Sequence, residues 1–479
     1  MTPQPAHIKR DAAPDESYRD AISTVDKAGK RVWVYPKKPK GKFTNWRQLF
    51  AYAVLILLFV GPFIRINGEP LLMINLVERR FVFFGQVFWP QDFLIFVIGF
   101  LTFIVFIALF TVAFGRLFCG WACPQTVFME HVFRWIEYAI EGDWKQQQAL
   151  NKGPMDANKA WKKTLKHIIF FSISFIIANT FLAYIIGSDE LFRIIREPAT
   201  QHAGGLIAIS VFSAVFYGNF AFFREQACTT VCPYGRLQGV LLDRKSIVIA
   251  YDHVRGEARG LFRKNEVREE AGKGDCIDCK ACVHVCPTGI DIRNGTQLEC
   301  VNCTACIDAC DHMMESVSLP KGLIRYASES EIADKKPFRF DTRMKAYSVV
   351  LVALIGVLST LIAIRSDTDT TLLRTPGMLF QEQPDGRISN LYHVKTVNKT
   401  RYDMPLRMEL MNAEGEIKLI GKKMDLKAGE LAQGELFIIL PKDQLQGTKT
   451  KLEIGVFSGD KLLETVKTSF VGPIVVNKK

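Results

Sequence analysis

No cysteine lies before Cys119 or after Cys310, so all 12 crowd into the middle of a 479-residue chain. That is too few for a disulfide scaffold of this length. No G-x-G-x-x-G or P-loop signature occurs, so no nucleotide site of either kind is expected. Residues 1–46 are polar and lack an apolar h-region, so no cleavable signal peptide is expected. Five long segments carry no charge at all, which excludes a single soluble globule. Hydrophobic residues reach 48% and Phe alone counts 35, which excludes a disordered chain. The net charge of +12 is explained by basic flanks of membrane spans, and no nucleic-acid partner is expected.

The uncharged segments are Leu49–Ile64, Phe93–Phe114, Ile168–Ile186, Ala203–Phe223 and Ala346–Ile364. Each approaches the ~20 residues needed to cross a hydrocarbon core. Lys and Arg number 10 before the first span, then three, eight and two in the next connections. That alternation places the N-terminus in the cytoplasm, and with it residues 224–345. The tail after Ile364 is then periplasmic, in a multi-pass protein of a bacterial inner membrane. Residues 1–46 read as a polar, mostly disordered cytoplasmic tail, and 47–245 as a four-helix transmembrane core. Residues 246–345 read as a cytoplasmic domain, 346–364 as the fifth helix and 365–479 as an outer domain. His167 and His202 lie at span ends and no span interior holds a histidine, which argues against a membrane haem.

Cys276, Cys279, Cys282 and Cys286 form a Cys-x2-Cys-x2-Cys-x3-Cys run, and Cys300, Cys303, Cys306 and Cys310 form another. Three thiolates two residues apart let one loop wrap a corner of an iron–sulfur cube, while the fourth ligates the other cube. Cys276, Cys279, Cys282 and Cys310 are therefore expected to hold one [4Fe–4S] cluster, and Cys300, Cys303, Cys306 and Cys286 the second. The module spans about residues 270–320 and has the bacterial 2[4Fe–4S] ferredoxin pattern. Zinc sites fit this spacing less well, because zinc ribbons bring two pairs from separate turns. Pro287 follows the first run, whereas Asp311 replaces proline after the second.

Cys119, Cys123 and Pro124 follow the second span, and Cys228, Cys232 and Pro233 follow the fourth. This Cys-x3-Cys-Pro repeat, with Arg116 and Arg224 ahead of it, recurs at an offset of 109 residues. Pro after the second cysteine suits the first position of a new helix. A cysteine at such a start, with arginine near, is expected to favour the thiolate. Residues 124–140 show an amphipathic pattern. Four convergent thiolates suit a soft metal, cuprous copper above all. A redox disulfide or a third cluster remains open on spacing alone. His131 is a possible auxiliary ligand, His284 and His312 read as structural, and Met313 and Met314 read as packing.

From about residue 375, short alternating stretches such as Leu391–Val397, Leu406–Met411, Glu435–Leu440 and Lys451–Phe457 predict an immunoglobulin-like β-sandwich that contacts a partner. Asn398-Lys399-Thr400 reads as a chance sequon, the cluster Lys37, Lys38 and Lys40 as lipid-facing, and Phe81, Phe83, Phe84, Phe88 and Trp89 as interfacial anchors.

This layout resembles the CcoG/FixG family, also called RdxA or RdxB, accessory proteins of cbb3-type cytochrome c oxidase assembly. The resemblance rests on both Cys-x3-Cys-Pro motifs, the double ferredoxin run, five spans and the outer domain. It implies reduction of cupric to cuprous copper, with Cys119, Cys123, Cys228 and Cys232 as the catalytic copper site. It also implies a copper-exporting P-type ATPase and oxidase assembly factors as partners, and an external electron donor. The related NapH-like quinol dehydrogenases share the four-span core and both cysteine patterns, so a quinol-linked relay is the alternative. A non-catalytic assembly scaffold is a further one.

Overall fold

The computed structural model describes residues 23–473, apart from 27, 67, 265, 401, 422–424 and 428. Five helices among the described residues are long and apolar enough to cross a membrane. They are α1 (Lys42–Val60), α2 (Phe93–Phe114), α3 (Ala157–Ile186), α4 (Ala203–Gly218) and α5 (Thr342–Ala363). A π-helical turn, Asn219–Phe223, extends α4. Two starts precede the apolar runs for local reasons. The Asp308 carboxylate accepts from the backbone N–H groups of Phe43 and Thr44, so α1 begins with a polar turn. Asp156 accepts from the N–H of Lys159 at 2.7 Å and starts α3 eleven residues ahead of Ile168. His167 consequently lies within α3 rather than at its end, bonded to the Tyr217 hydroxyl at 2.9 Å.

The chain divides into two compact units. One comprises Met1–Gly61, Leu101–Ala183 and Asp189–Ala353; the other Pro62–Phe100, Tyr184–Ser188 and Leu354–Lys479.

The first unit holds every cysteine. Its largest core joins Ile249, Tyr251, Ile277, Ile307 and Leu323 to five buried ferredoxin cysteines and Cys119. The antiparallel pair β4 (Val248–Tyr251) and β5 (Ile324–Ala327) closes the iron–sulfur module. Residues 23–26 and 28–41, expected as disordered tail, are instead ordered against this module. Ser23 donates to the Thr288 carbonyl, Lys37 N–H donates to the His284 carbonyl, and Val34 sits beside Gly289. Lys38 lies 4.3 Å over the Trp135 ring rather than facing lipid. Residues 1–22 of that tail lie outside the described residues.

The second unit contains a three-stranded sheet that the aromatic pattern concealed: β1 (Leu72–Asn75), β2 (Arg80–Phe83) and β3 (Gln86–Phe88). Phe81, Phe83 and Phe88 pack their rings around Phe96, whereas Phe84 is exposed. The C-terminal strands are β6 (Thr368–Arg374), β7 (Gln381–Glu382), β8 (Ile388–Asn398), β9 (Met404–Leu410), β10 (Glu416–Ile420), β11 (Asp425–Leu426), β12 (Leu431–Leu440), β13 (Lys449–Ser458) and β14 (Lys461–Val471). One sheet orders β10-β12-β8-β6, with β7 also on β8; the other orders β11-β9-β13-β14. Tyr392, Leu436, Ile438, Ile454 and Phe470 fill the space between them with alternating inward positions. Asn398 is fully buried and its amide donates to the carbonyls of Tyr402 and Lys427, so its sequon is structural.

Candidate functional site

The two ferredoxin runs repeat in backbone as well as sequence. Asp278 and Lys280 have φ of 52° and 58°; Asn302 and Thr304, 24 residues on, have 54° and 65°. These left-handed corners turn the chain twice within each run. Short helices follow, Ala281–His284 and Ala305–Ser316. Pro287 follows the end of the first. No proline interrupts the second, and Asp311 within it accepts from the Gly322 N–H at 2.9 Å.

Folding brings the fourth cysteine of each run to the other run's cavity. Cys276, Cys279, Cys282 and Cys310 line one cavity with Tyr251, Met314 and Leu323. Cys286, Cys300, Cys303 and Cys306 line the other with Ile249, Ile290 and Ile292, and Cys282 borders it as well. Four or five cysteines per cavity, largely apolar walls and no lining carboxylate or imidazole fit a [4Fe–4S] cube. Burial pushes the Cys282 and Cys300 thiols up to about 12, and Cys306 well above its ordinary value. Metal loading must therefore displace protons from these sulfurs.

The other four cysteines also converge. Cys119 lies in the short helix Leu117–Trp121, and Cys123 caps Pro124–Phe128. Cys228 lies in a π turn, Ala227–Val231, and Cys232 caps Pro233–Leu241, its sulfur accepting from the Gly235 N–H at 3.4 Å. Both prolines occupy the first helical position, where a missing N–H costs nothing. All four sulfurs lie within electrostatic reach of one another. The thiolate expected at the helix start does not hold at Cys123, where burial pushes the thiol up despite the N–H groups of Gln125 and Thr126. Burial pushes Cys119 up to about 11 and Cys228 up to about 12, outweighing the Arg116 charge. Among the described residues no three His, Cys, Asp or Glu side chains form a ready-made single-ion site. The four sulfurs are thus gathered without being closed on one ion.

The repeat register differs from the one suggested by the arginines. At the 109-residue offset, Arg224 matches Gly115, not Arg116. Both corners have positive φ, 56° at Gly115 and 54° at Arg224. The arginines then serve different partners. Arg116 donates to the Leu298 carbonyl and to Gln238 Oε1, the latter at 3.3 Å. Arg224 grips Glu137 with two bonds of 3.0 and 2.9 Å. Glu137 belongs to a buried charge network: Arg134 pairs with Glu130 at 2.8 Å, and Lys166 with Glu141 at 2.8 Å. Residues 124–140 are therefore not amphipathic in place, since their polar side His131, Arg134 and Glu137 is buried too.

The two sulfur constellations touch through Gly120. A Cβ there would stand 2.5 Å from the Val301 carbonyl and 2.6 Å from that of Asn302. Only glycine lets the Cys119–Cys123 loop press onto the Cys300–Cys303 loop. Beside it, the Cys119 thiol hydrogen-bonds Gln238 Oε1 at 3.1 Å. His131 is buried, and burial with the Arg47 charge pushes its pKa down to about 3. His284 stacks on Trp144, and His312 is exposed. Met314 is buried in the module's core, with Met313 packed against it.

Fold and site together define a membrane protein that carries 4Fe–4S domains. A family model described as a 4Fe-4S dicluster domain matches residues 223–329, and one described as a 4Fe-4S binding domain matches 95–140. A third, the IG-like fold at the C-terminal of FixG, matches 358–473. Protein RdxA of Cereibacter sphaeroides is 34% identical over 88% of this chain and 93% of its own length. Nitrogen fixation protein FixG of Rhizobium meliloti is 35% identical over 64% of this chain and 59% of its own. Protein RdxB of Cereibacter sphaeroides is 34% identical over 77% and 80%. The chain belongs to the FixG/RdxA family. A crystal structure of a FixG-related protein from Vibrio parahaemolyticus aligns over 23% of this chain and 100% of its own, at 16% identity and a TM-score of 0.20.

Proposed function

We propose that this protein is an iron–sulfur oxidoreductase that reduces cupric to cuprous copper for assembly of a cbb3-type oxidase. The observation that carries this reading is the contact at Gly120, which sets a four-sulfur constellation directly against the iron–sulfur module. Cys276, Cys279, Cys282 and Cys310 would hold one cluster and Cys286, Cys300, Cys303 and Cys306 the other, supplying one-electron storage. Cys119, Cys123, Cys228 and Cys232 would receive the substrate. Thiolate sulfur favours the cuprous over the cupric state, so an ion held there is easier to reduce. Each cupric ion takes up one electron and leaves as cuprous ion. The buried thiols give up protons as copper arrives, which couples capture to pH. A copper-exporting P-type ATPase and oxidase assembly factors would receive the product. Basic-residue counts support a cytoplasmic side for the module and a periplasmic side for the sandwich.

Anaerobic protein carrying one stored electron per cluster should yield about two cuprous ions per chain, trapped by a cuprous-specific chelator, as the reduced-cluster signal disappears. A Cys303→Ser variant should lose about half the iron and most of that yield. No cuprous ion from fully reduced protein would sink the reading.

A second reading has its own support. The 4Fe-4S binding model at residues 95–140 covers Cys119 and Cys123. The four outer sulfurs would then hold a third cluster. Iron and sulfide near eight per chain favour copper at this site, and near twelve favour the third cluster.

A further inference from the structure

Arg116 is only 3% exposed, yet among the described residues no carboxylate pairs with it. The left-handed corner at Gly115 turns the chain out of α2 and sets Arg116 at the start of the helix Leu117–Trp121. A cation there has the wrong sign for the helix dipole, so the helix does not call for it. Gly235 leaves the room that the guanidinium needs, since a Cβ there would stand 2.5 Å from Arg116 Nη2. Its acceptors, the Leu298 carbonyl and Gln238 Oε1, are both neutral. By contrast, Arg224 has Glu137 and Glu225, and Arg293, beside Cys282, has Asp278 and Asp291. A buried cation without a counter-ion is strongly unfavourable. What surrounds Arg116 instead is sulfur. It lies within electrostatic reach of Cys119, Cys123 and Cys228 in the outer constellation and of Cys300 in the iron–sulfur module. Gln238 Oε1 ties it further to this set, because it also accepts from the Cys119 thiol at 3.1 Å.

We propose that Arg116 is the counter-charge shared by the outer sulfur site and the cluster of Cys286, Cys300, Cys303 and Cys306. It is a positioning residue that acts through its permanent charge and ligates nothing. Binding of a cuprous ion by a pair of the outer thiols breaks both S–H bonds, forms two sulfur–copper bonds and sends both protons to water. The outer site thereby goes from neutral to singly negative. Uptake of an electron makes the cluster more negative by the same amount. One fixed cation favours both changes. When an electron passes from the cluster to copper, the negative charge moves from one side of Arg116 to the other and keeps its counter-ion. Because the two sites lean on the same charge, filling one disfavours the other. The inference rests on the copper reading above and adds the residue that couples its two sites.

The test uses anaerobic holoprotein in lipid nanodiscs, with cuprous ion delivered from a cuprous-specific chelator, and reads two equilibria. Chelator competition gives the cuprous affinity, and a potentiometric titration gives the cluster midpoints. Arg116→Gln should bind cuprous ion about tenfold more weakly. One of its cluster midpoints should fall by about 59 mV, the same tenfold for one electron, while the other moves much less. Arg116→Lys keeps the charge and should restore most of both. In wild type, loading with cuprous ion should lower the midpoint that Arg116→Gln lowers. Wild-type affinity and midpoints in Arg116→Gln would overturn the assignment, as would a lysine variant as impaired as the glutamine one. If Arg116→Gln does not retain about eight iron per chain, the wild-type titration decides: midpoints that ignore cuprous loading overturn the assignment. Cuprous affinity unchanged when Cys119, Cys123, Cys228 and Cys232 are all serine would remove the copper reading and this inference with it. Affinity that depends on those cysteines but not on Arg116, with unshifted midpoints, would remove this inference alone.

Discussion

The two cysteine repeats of this chain are built by opposite strategies. In the ferredoxin runs, a 24-residue repeat reproduces the same two left-handed corners, the same helix start and a sulfur-lined cavity. Local spacing decides nearly everything there. In the Cys-x3-Cys-Pro motifs, a 109-residue repeat reproduces the corner and the proline start, but nothing beyond them. One copy leans on Gln238 and the Leu298 carbonyl; the other is tied by Arg224 to a charge network around Glu137. Short cysteine spacing thus determines a loop, while the surroundings of each motif are set by residues far away in sequence.

The sharpest way to break this contrast is at Arg224. Arg224→Ala should leave Glu137 and Glu225 buried with less compensation, costing ~3–5 kcal/mol. The melting temperature in detergent should drop steeply, whereas Arg116→Ala should lower it less, because its acceptors are neutral. A second variant makes the ferredoxin repeat perfect. Asp311→Pro copies Pro287 into the second run, but it falls inside the helix Ala305–Ser316. It should cost ~3 kcal/mol and reduce iron content, measured by metal analysis. Gly120→Ala tests the contact between the repeats. Its Cβ would meet two backbone carbonyls, which cannot move as a side-chain tip can, so ~1–3 kcal/mol is expected. Cupric reduction by the pre-reduced variant should slow while its iron content stays near wild type.

The smallest effect concerns acid. His131 titrates near 3 when folded and near ~6.5 when unfolded. Between those values the unfolded chain binds a proton that the folded one refuses, so stability is full above ~6.5 and is lost as pH falls. Thermal melts from about pH 7.5 to about pH 5.5 should show a smaller drop for His131→Gln than for wild type.

Much of this was legible from residue order. Uncharged runs located α2 to the residue, and α4 together with its π-helical turn, because lipid demands length without charge. Cysteine spacing anticipated that the eight sulfurs gather at two adjacent cavities, with Cys282 bordering both. What stayed hidden depends on distant partners. The polar turn of α1 exists because Asp308, more than 260 residues later, accepts from it. Residues 23–41 look like a polar tail, yet the carbonyls they bond lie on the iron–sulfur module. Phe81, Phe83 and Phe88 look like anchors until Phe96 is seen among them. Aligning the two membrane motifs by cysteine rather than by arginine would have exposed the Gly115–Arg224 match from sequence alone.

The central claim is that copper is reduced at the four sulfurs of the Cys-x3-Cys-Pro motifs. The most direct measurement is cupric reduction by a variant with Cys119, Cys123, Cys228 and Cys232 all replaced by serine. Serine keeps the shape but is a poor ligand for soft cuprous copper. The account predicts iron and sulfide still near eight per chain, an unchanged cluster spectrum, and a rate at least about tenfold below wild type. Undiminished cuprous yield and rate in that variant would contradict it.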